Sequence, residues 1–191
     1  MFRRGFKSWA EQVSVRVRNK LKLASSAPLD PLRLADLLSV PVLGPSELRD
    51  LPEDCKRRLM NDHLENWSAI TVGNGKHHLI IINRAHAPTR RNSDLAHELS
   101  HLIIGHQPSM MFVSPGTGVA LRTHNKEQED EASWLAGCLL LPRESLLSIR
   151  RRRLSDEEAC QEYGVSLAML RFRLNASGVD IQLRRTGRWR S

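Results

Sequence analysis

Residues 93–105, SDLAHELSHLIIG, decide how the rest of the chain is read. The run predicts a helix from Ser93 to Ile104 that stops at Gly105, because glycine takes the left-handed conformation that closes a helix at little cost. On that helix His97 and His101 stand four residues and thus about 40° apart, so both imidazoles project from one face. Leu95, Leu99, Leu102 and Ile103 fill the opposite arc at core spacing. One helix therefore offers an apolar back to a core and two metal-binding nitrogens on its front. That spacing lets both imidazoles meet one Zn2+ ion at bond lengths of about 2.0–2.1 Å. Glu98 lies about 100° round from His97 and about 60° from His101. It is placed beside such an ion and not on it, where a carboxylate can act as general base toward water.

A hydrolytic zinc needs three protein ligands and one open position. A third histidine on the same segment would require glycine at 104 and histidine at 107. The chain has Ile104 and Gln107, with Gly105 and His106 each displaced by one. The alternative, the gluzincin pattern, takes a glutamate from a downstream helix. A strong helix is expected over residues 126–141, KEQEDEASWLAGCLLL, ending at Pro142, and it offers Glu127, Glu129 and Glu131. Glu131 shares a face with Trp134, Leu135 and Cys138, the side expected to pack inward, and Glu129 points about 160° away. Glu131 is the expected third ligand, with Glu127, one turn earlier, in reserve. Small Ala132 and Ala136 would let this helix lie close beside the first.

Around these two helices the remaining elements are legible in outline. Phe6, Trp9, Val13, Val17 and Leu21 recur at three or four residues and predict a helix over 4–23. Asp30 before Pro31 is an N-cap with proline at the first helical position, opening a short helix through Leu38. Residues 40–43 are expected to be extended and 46–62 partly helical. Trp67–Val72 and His77–Ile82 are β-rich runs joined by Gly73-Asn74-Gly75-Lys76, a hairpin. Residues 106–124 contain two prolines and two glycines and read as a long loop. Short helices are expected to about Asn175, followed by a disordered tail, RRTGRWRS.

The chain has 191 residues and a net charge of +8, distributed unevenly. Residues 1–23 carry seven basic and one acidic residue, and residues 143–191 carry eleven and six; residues 24–142 have eleven basic against fourteen acidic. Basic ends around a mildly acidic centre suggest that the ends meet acidic partners or polyanions, including weak non-specific contact with nucleic acid. No apolar run approaches the roughly 18–20 residues that span a bilayer, so no membrane partner is expected. Cys55, Cys138 and Cys160 are widely spaced, form no CxxC pair, and suit a reducing cytoplasm.

The run from DPLRLADLL (30–38), through WSAITV (67–72), HHLIIIN (77–83) and LAHELSHLIIGH (95–106), to EDEASWLAGCLLLP (129–142) resembles the ImmA/IrrE family of metallopeptidases. The resemblance covers about residues 28–142 and continues through the Tyr163–Ser166 segment. It implies an α+β, mostly helical zincin-like domain with a small antiparallel sheet, in which His97, His101 and Glu131 bind zinc and Glu98 is catalytic. It also implies a protein substrate, typically a helix-turn-helix transcriptional repressor. Two positions depart from the family pattern: Ser133 stands where Asn or Asp is usual, and Leu135-Ala136 where Phe-Ala is usual.

Four parts are expected: a basic N-terminal helix (1–27), the peptidase core (28–142), a helical extension resembling a helix-turn-helix (143–178), and a basic tail (179–191). In the extension, Cys160 and Gly164 occupy the small-residue and turn-glycine positions, and Arg171 and Arg173 lie on the second helix. The function expected is a cytoplasmic zinc metalloendopeptidase. The alternatives are a DNA-binding regulator and a pseudopeptidase that captures a repressor without cutting it. An extended substrate is expected to pair along His77–Ile82. Arg122, His124 and Tyr163 are candidate oxyanion donors. His77, His78 and His106 are expected to be ordinary strand and loop histidines.

Overall fold

A computed structural model describes residues 2–48, 52–57, 60, 67–73, 77–106, 111–113, 120–122 and 125–185. The first helix, α1 (Phe6–Lys20), buries Phe6, Ala10, Val13 and Val17 along one stripe. α2 (Pro31–Leu37) begins as its sequence requires: the Asp30 carboxylate accepts from the Leu32 N–H at 2.9 Å, and proline occupies the first turn. β1 (Val42–Leu43) and the short helix α3 (Glu53–Arg57) follow. The expected partial helicity of 46–62 is met by α3, and residues 49–51, 58, 59 and 61–66 lie outside the described residues.

β2 (Ala69–Gly73) and β3 (His78–Ile82) form the expected antiparallel pair. β1 then adds to the other side of β3 in parallel, so the sheet is mixed, with order β1-β3-β2. This corrects the expected substrate strand. β3 is central, its backbone groups already shared with both neighbours, whereas β2 is at an edge among the described residues.

α4 (Pro88–Ile104) starts five residues before the predicted Ser93, with Pro88 in its first turn, and ends at Gly105, whose φ is 80°. The reading of 106–124 as loop missed two short strands, β4 (Met111–Val113) and β5 (Ala120–Arg122), which pair antiparallel. α5 (Lys126–Leu140) follows, N-capped by Asn125. α6 (Arg143–Arg152), α7 (Asp156–Tyr163), α8 (Leu167–Ser177) and α9 (Val179–Arg185) complete the chain. α9 reaches into the segment expected to be a disordered tail; residues 186–191 lie outside the described residues. No helix among the described residues is long and apolar enough to cross a membrane.

Two apolar clusters make the core. One gathers α1, α2, the sheet and the backs of α4 and α5, around Phe6, Leu34, Ile80, Leu99, Leu135 and Leu139. The other gathers α6–α9 against Ala96 and Ala136, around Leu146, Ile149, Tyr163 and Leu170. α4 and α5 thus contribute to both, and Ala132, Ala96 and Ala136, all essentially buried, permit their close approach. A fully buried leucine is worth about 1.5–3 kcal/mol, so each cluster is a substantial source of stability.

Polar groups tie the last helices to the first. Arg173 on α8 is 1% exposed; it donates to the Leu141 carbonyl at 3.0 Å and pairs with Glu11 of α1 at 2.5 Å. Glu11 also accepts from the Arg143 N–H at 3.0 Å. On the same helix Arg171 pairs with Asp156 at 3.6 Å. Gly164 takes the left-handed turn expected of it (φ 61°), and the Asn92 amide bonds its carbonyl at 3.0 Å.

Candidate metal centre

The amphipathic character of α4 places the site. Leu95 and Leu99 are buried in the first cluster, which turns His97 and His101 toward α5. Their Nε2 atoms come within 3.0 Å of each other, with ring centroids 4.8 Å apart. From α5, Glu129 Oε2 reaches His97 Nε2 at 3.0 Å and His101 Nε2 at 3.6 Å. The three ligand atoms lie within 4.8 Å of one another.

Glu131, the expected third ligand, is elsewhere. Its Oε2 meets His106 Nε2 at 3.2 Å and its Oε1 meets Arg3 Nε at 3.4 Å. The reserve, Glu127, stands exposed in the first turn of α5. The physical reason is that α5 is packed on two opposite faces. Trp134 and Cys138 face α1 and the residues just before it: Trp134 packs edge-on to Phe2, and Cys138 Sγ lies 3.6 Å from Glu11. Glu129, Ala132, Ser133 and Ala136, at helical spacing on the other side, face α4. The apolar face that pointed to Glu131 is real but belongs to α1. The signal for Glu129 was the small-residue face of Ala132 and Ala136, which lets one helix approach another.

Glu98 is 6% exposed and accepts a hydrogen bond from the Thr71 hydroxyl on β2 at 2.5 Å. Thr71 was not singled out from sequence, since a threonine in a strand is ordinary until its register is known. Ser133 Oγ lies 3.3 Å from His97 Nδ1, and His106 Nδ1 lies 2.9 Å from His101 Nδ1. Each histidine thus has a partner on Nδ1 and turns Nε2 toward Glu129. Two imidazole nitrogens and a carboxylate oxygen meeting at one point suit a divalent cation, and the two-histidine, one-glutamate set is one that zinc takes in hydrolases.

Of the candidate oxyanion donors, Tyr163 is removed by its position. Its hydroxyl donates to the Ser26 carbonyl at 2.8 Å, and it is buried in the second cluster. The side chains of Arg122 and His124 lie outside the described residues. Nearby, Asp94 on α4 is pushed above the usual carboxylate range, chiefly by burial.

Residues 53–175 match the IrrE N-terminal-like domain, the M78 peptidases. The chain belongs to that family. The match spans β2, β3, α4 and α5, and so Thr71, His97, Glu98, His101, His106, Glu129 and Glu131, and continues through α6, α7 and most of α8. No curated protein is matched by the chain. Membership of the M78 peptidases gives the site a metallopeptidase-family role, and α1 and α2, outside the match, pack directly on the helices that carry it.

Proposed function

We propose that this M78 family member is a zinc-dependent endopeptidase that cuts a peptide bond in a protein partner, a helix-turn-helix repressor. The convergence of His97, His101 and Glu129 beside a buried Glu98 carries the proposal. Those three side chains would hold the ion. When bound, zinc polarises a scissile carbonyl and lowers the pKa of water toward about 7. Glu98 takes the proton from the attacking water and passes it to the leaving amine. The Thr71 hydroxyl, bonded to Oε2, holds that carboxylate in one orientation. β2 offers an edge to an extended peptide, and Thr71 brings this edge to Glu98. Recognition along such an edge reads backbone more than side chains. The choice of a repressor rests on the ImmA/IrrE resemblance.

The test pairs elemental analysis with Glu98→Gln. The wild type should hold about one zinc per chain, and His101→Ala should lose it. Glutamine keeps the size of Glu98 but accepts no proton, so zinc content should stay while cleavage of a co-expressed repressor falls by roughly 10²–10⁴-fold. Full zinc retention in His101→Ala would sink the metal site. If Glu98→Gln relieved repression as well as the wild type, capture without cleavage would replace proteolysis.

A further inference from the structure

Outside the ligand trio, three side chains form a line that ends on His101. Arg3 Nε is 3.4 Å from Glu131 Oε1, and Glu131 Oε2 is 3.2 Å from His106 Nε2. His106 Nδ1 is 2.9 Å from His101 Nδ1, and His101 Nε2 faces Glu129. The two middle members are sheltered, the His106 side chain 7% exposed and that of Glu131 15%, while Arg3 at the outer end is exposed.

We infer that His106 and Glu131 are positioning residues that hold His101 in its metal-binding tautomer. Each imidazole nitrogen is either a donor or an acceptor when neutral. The Glu131 carboxylate, with Oε1 facing the Arg3 guanidinium, accepts through Oε2, so His106 Nε2 carries the hydrogen it takes. That leaves a lone pair on His106 Nδ1, which accepts from His101 Nδ1–H. His101 Nε2 is then bare and aimed at the trio. Every bond in the line has one donor and one acceptor, and the reverse assignment fails at Glu131. A carboxylate behind the imidazole also makes the ligand nitrogen more basic, and removing such support typically costs about 10–100-fold in metal affinity. Glu131 thereby acts one step behind the metal, while Glu129 acts on it. This deepens the zinc proposal and rests on it for its effect on affinity, but not for the tautomer.

The experiment uses the full chain, stripped of metal and labelled with 15N-histidine, at a pH near 8, above the ordinary imidazole pKa of about 6.5. Long-range 1H–15N spectra should show His101 protonated on Nδ1. His106→Phe keeps a ring of similar shape but removes the acceptor, and His101 should shift toward protonation on Nε2. Chelator competition should show zinc held about 10–100-fold more weakly in His106→Phe. Should that variant not fold, Glu131→Gln and Glu131→Ala serve. Glutamine keeps an acceptor for His106 and should restore much of the affinity lost in Glu131→Ala. A wild-type His101 protonated on Nε2, or a tautomer and zinc affinity unmoved by His106→Phe, overturns the inference. If the wild type takes up no zinc, the metal proposal fails, and the tautomer alone decides the line of hydrogen bonds.

Discussion

Glu129 and Glu131 sit two positions apart on α5 and face different neighbours, one meeting His97 and the other His106. Glu129→Gln should therefore weaken zinc binding by more than the roughly 100-fold typical of lost support behind a ligand, read by chelator competition. An equal or larger loss in Glu131→Gln would reverse the two roles. Thr71→Val keeps the shape of the strand and removes the donor to Glu98. A hydrogen bond to a charged group is worth about 1.5–3 kcal/mol, so turnover should fall roughly ten- to a hundredfold with zinc content unchanged. Burial pushes the Cys138 thiol up to about 12. In the native protein it should resist iodoacetamide at pH 8, where mass-spectrometric mapping would find label only after unfolding; rapid native labelling would contradict its packing. At this scale the sequence displayed His97, Glu98 and His101 openly, because all three lie on one helix whose phase its leucines reveal. Which carboxylate meets the two histidines depends on how two helices dock, and residue spacing within one helix does not carry that information.

Helix α5 is the element most easily misread, since every residue from Ala132 to Leu140 except Ser133 is buried. A helix buried on opposite sides shows several apolar arcs, and choosing one is a choice of neighbour. The hairpin of β2 and β3 was legible from its β-rich runs and glycine turn. The parallel addition of β1 was not, because two residues leave little pattern. That addition makes β3 central and leaves β1 and β2 at the edges among the described residues. Between α1 and α8, the Glu11–Arg173 pair closes the C-terminal helices onto the first. Breaking such a pair strands a buried charge at a cost of about 3 kcal/mol. Glu11→Ala should lower the urea midpoint accordingly, with a smaller loss in Glu11→Gln, which still accepts hydrogen bonds. An unchanged midpoint would mean that Arg173 finds water or another acceptor. The same geometry bears on the rival DNA-binding reading. Of the two arginines expected on a recognition helix, Arg173 points into the protein and Arg171 is paired with Asp156. Duplex DNA should then bind weakly, without sequence preference and with a steep salt dependence from the basic ends. A nanomolar, sequence-specific complex would overturn this.

At the scale of the whole molecule, α4 and α5 are a wall common to both apolar clusters, and His97, His101 and Glu129 bridge that wall. An ion bound only by the folded state at 100 times its dissociation constant adds about 2.7 kcal/mol. Removing metal with a chelator should therefore lower the melting temperature by several degrees and restoring it should reverse the change. A melting curve indifferent to zinc would separate the ion from the fold. Strand β2, at an edge among the described residues, carries a different consequence. It is five residues long, or about 17 Å at the usual rise of a strand. Any substrate that pairs with it must present a comparable length of chain with its own backbone bonds undone. Cleavage then samples the substrate's opening equilibrium. If a target segment lies in a helix that costs about 4 kcal/mol to open, only about one molecule in a thousand is ready at any instant. An extended linker of the same composition is ready nearly always. Which bond is cut, and how fast, is thus partly written in the local stability of the victim and only partly in the enzyme.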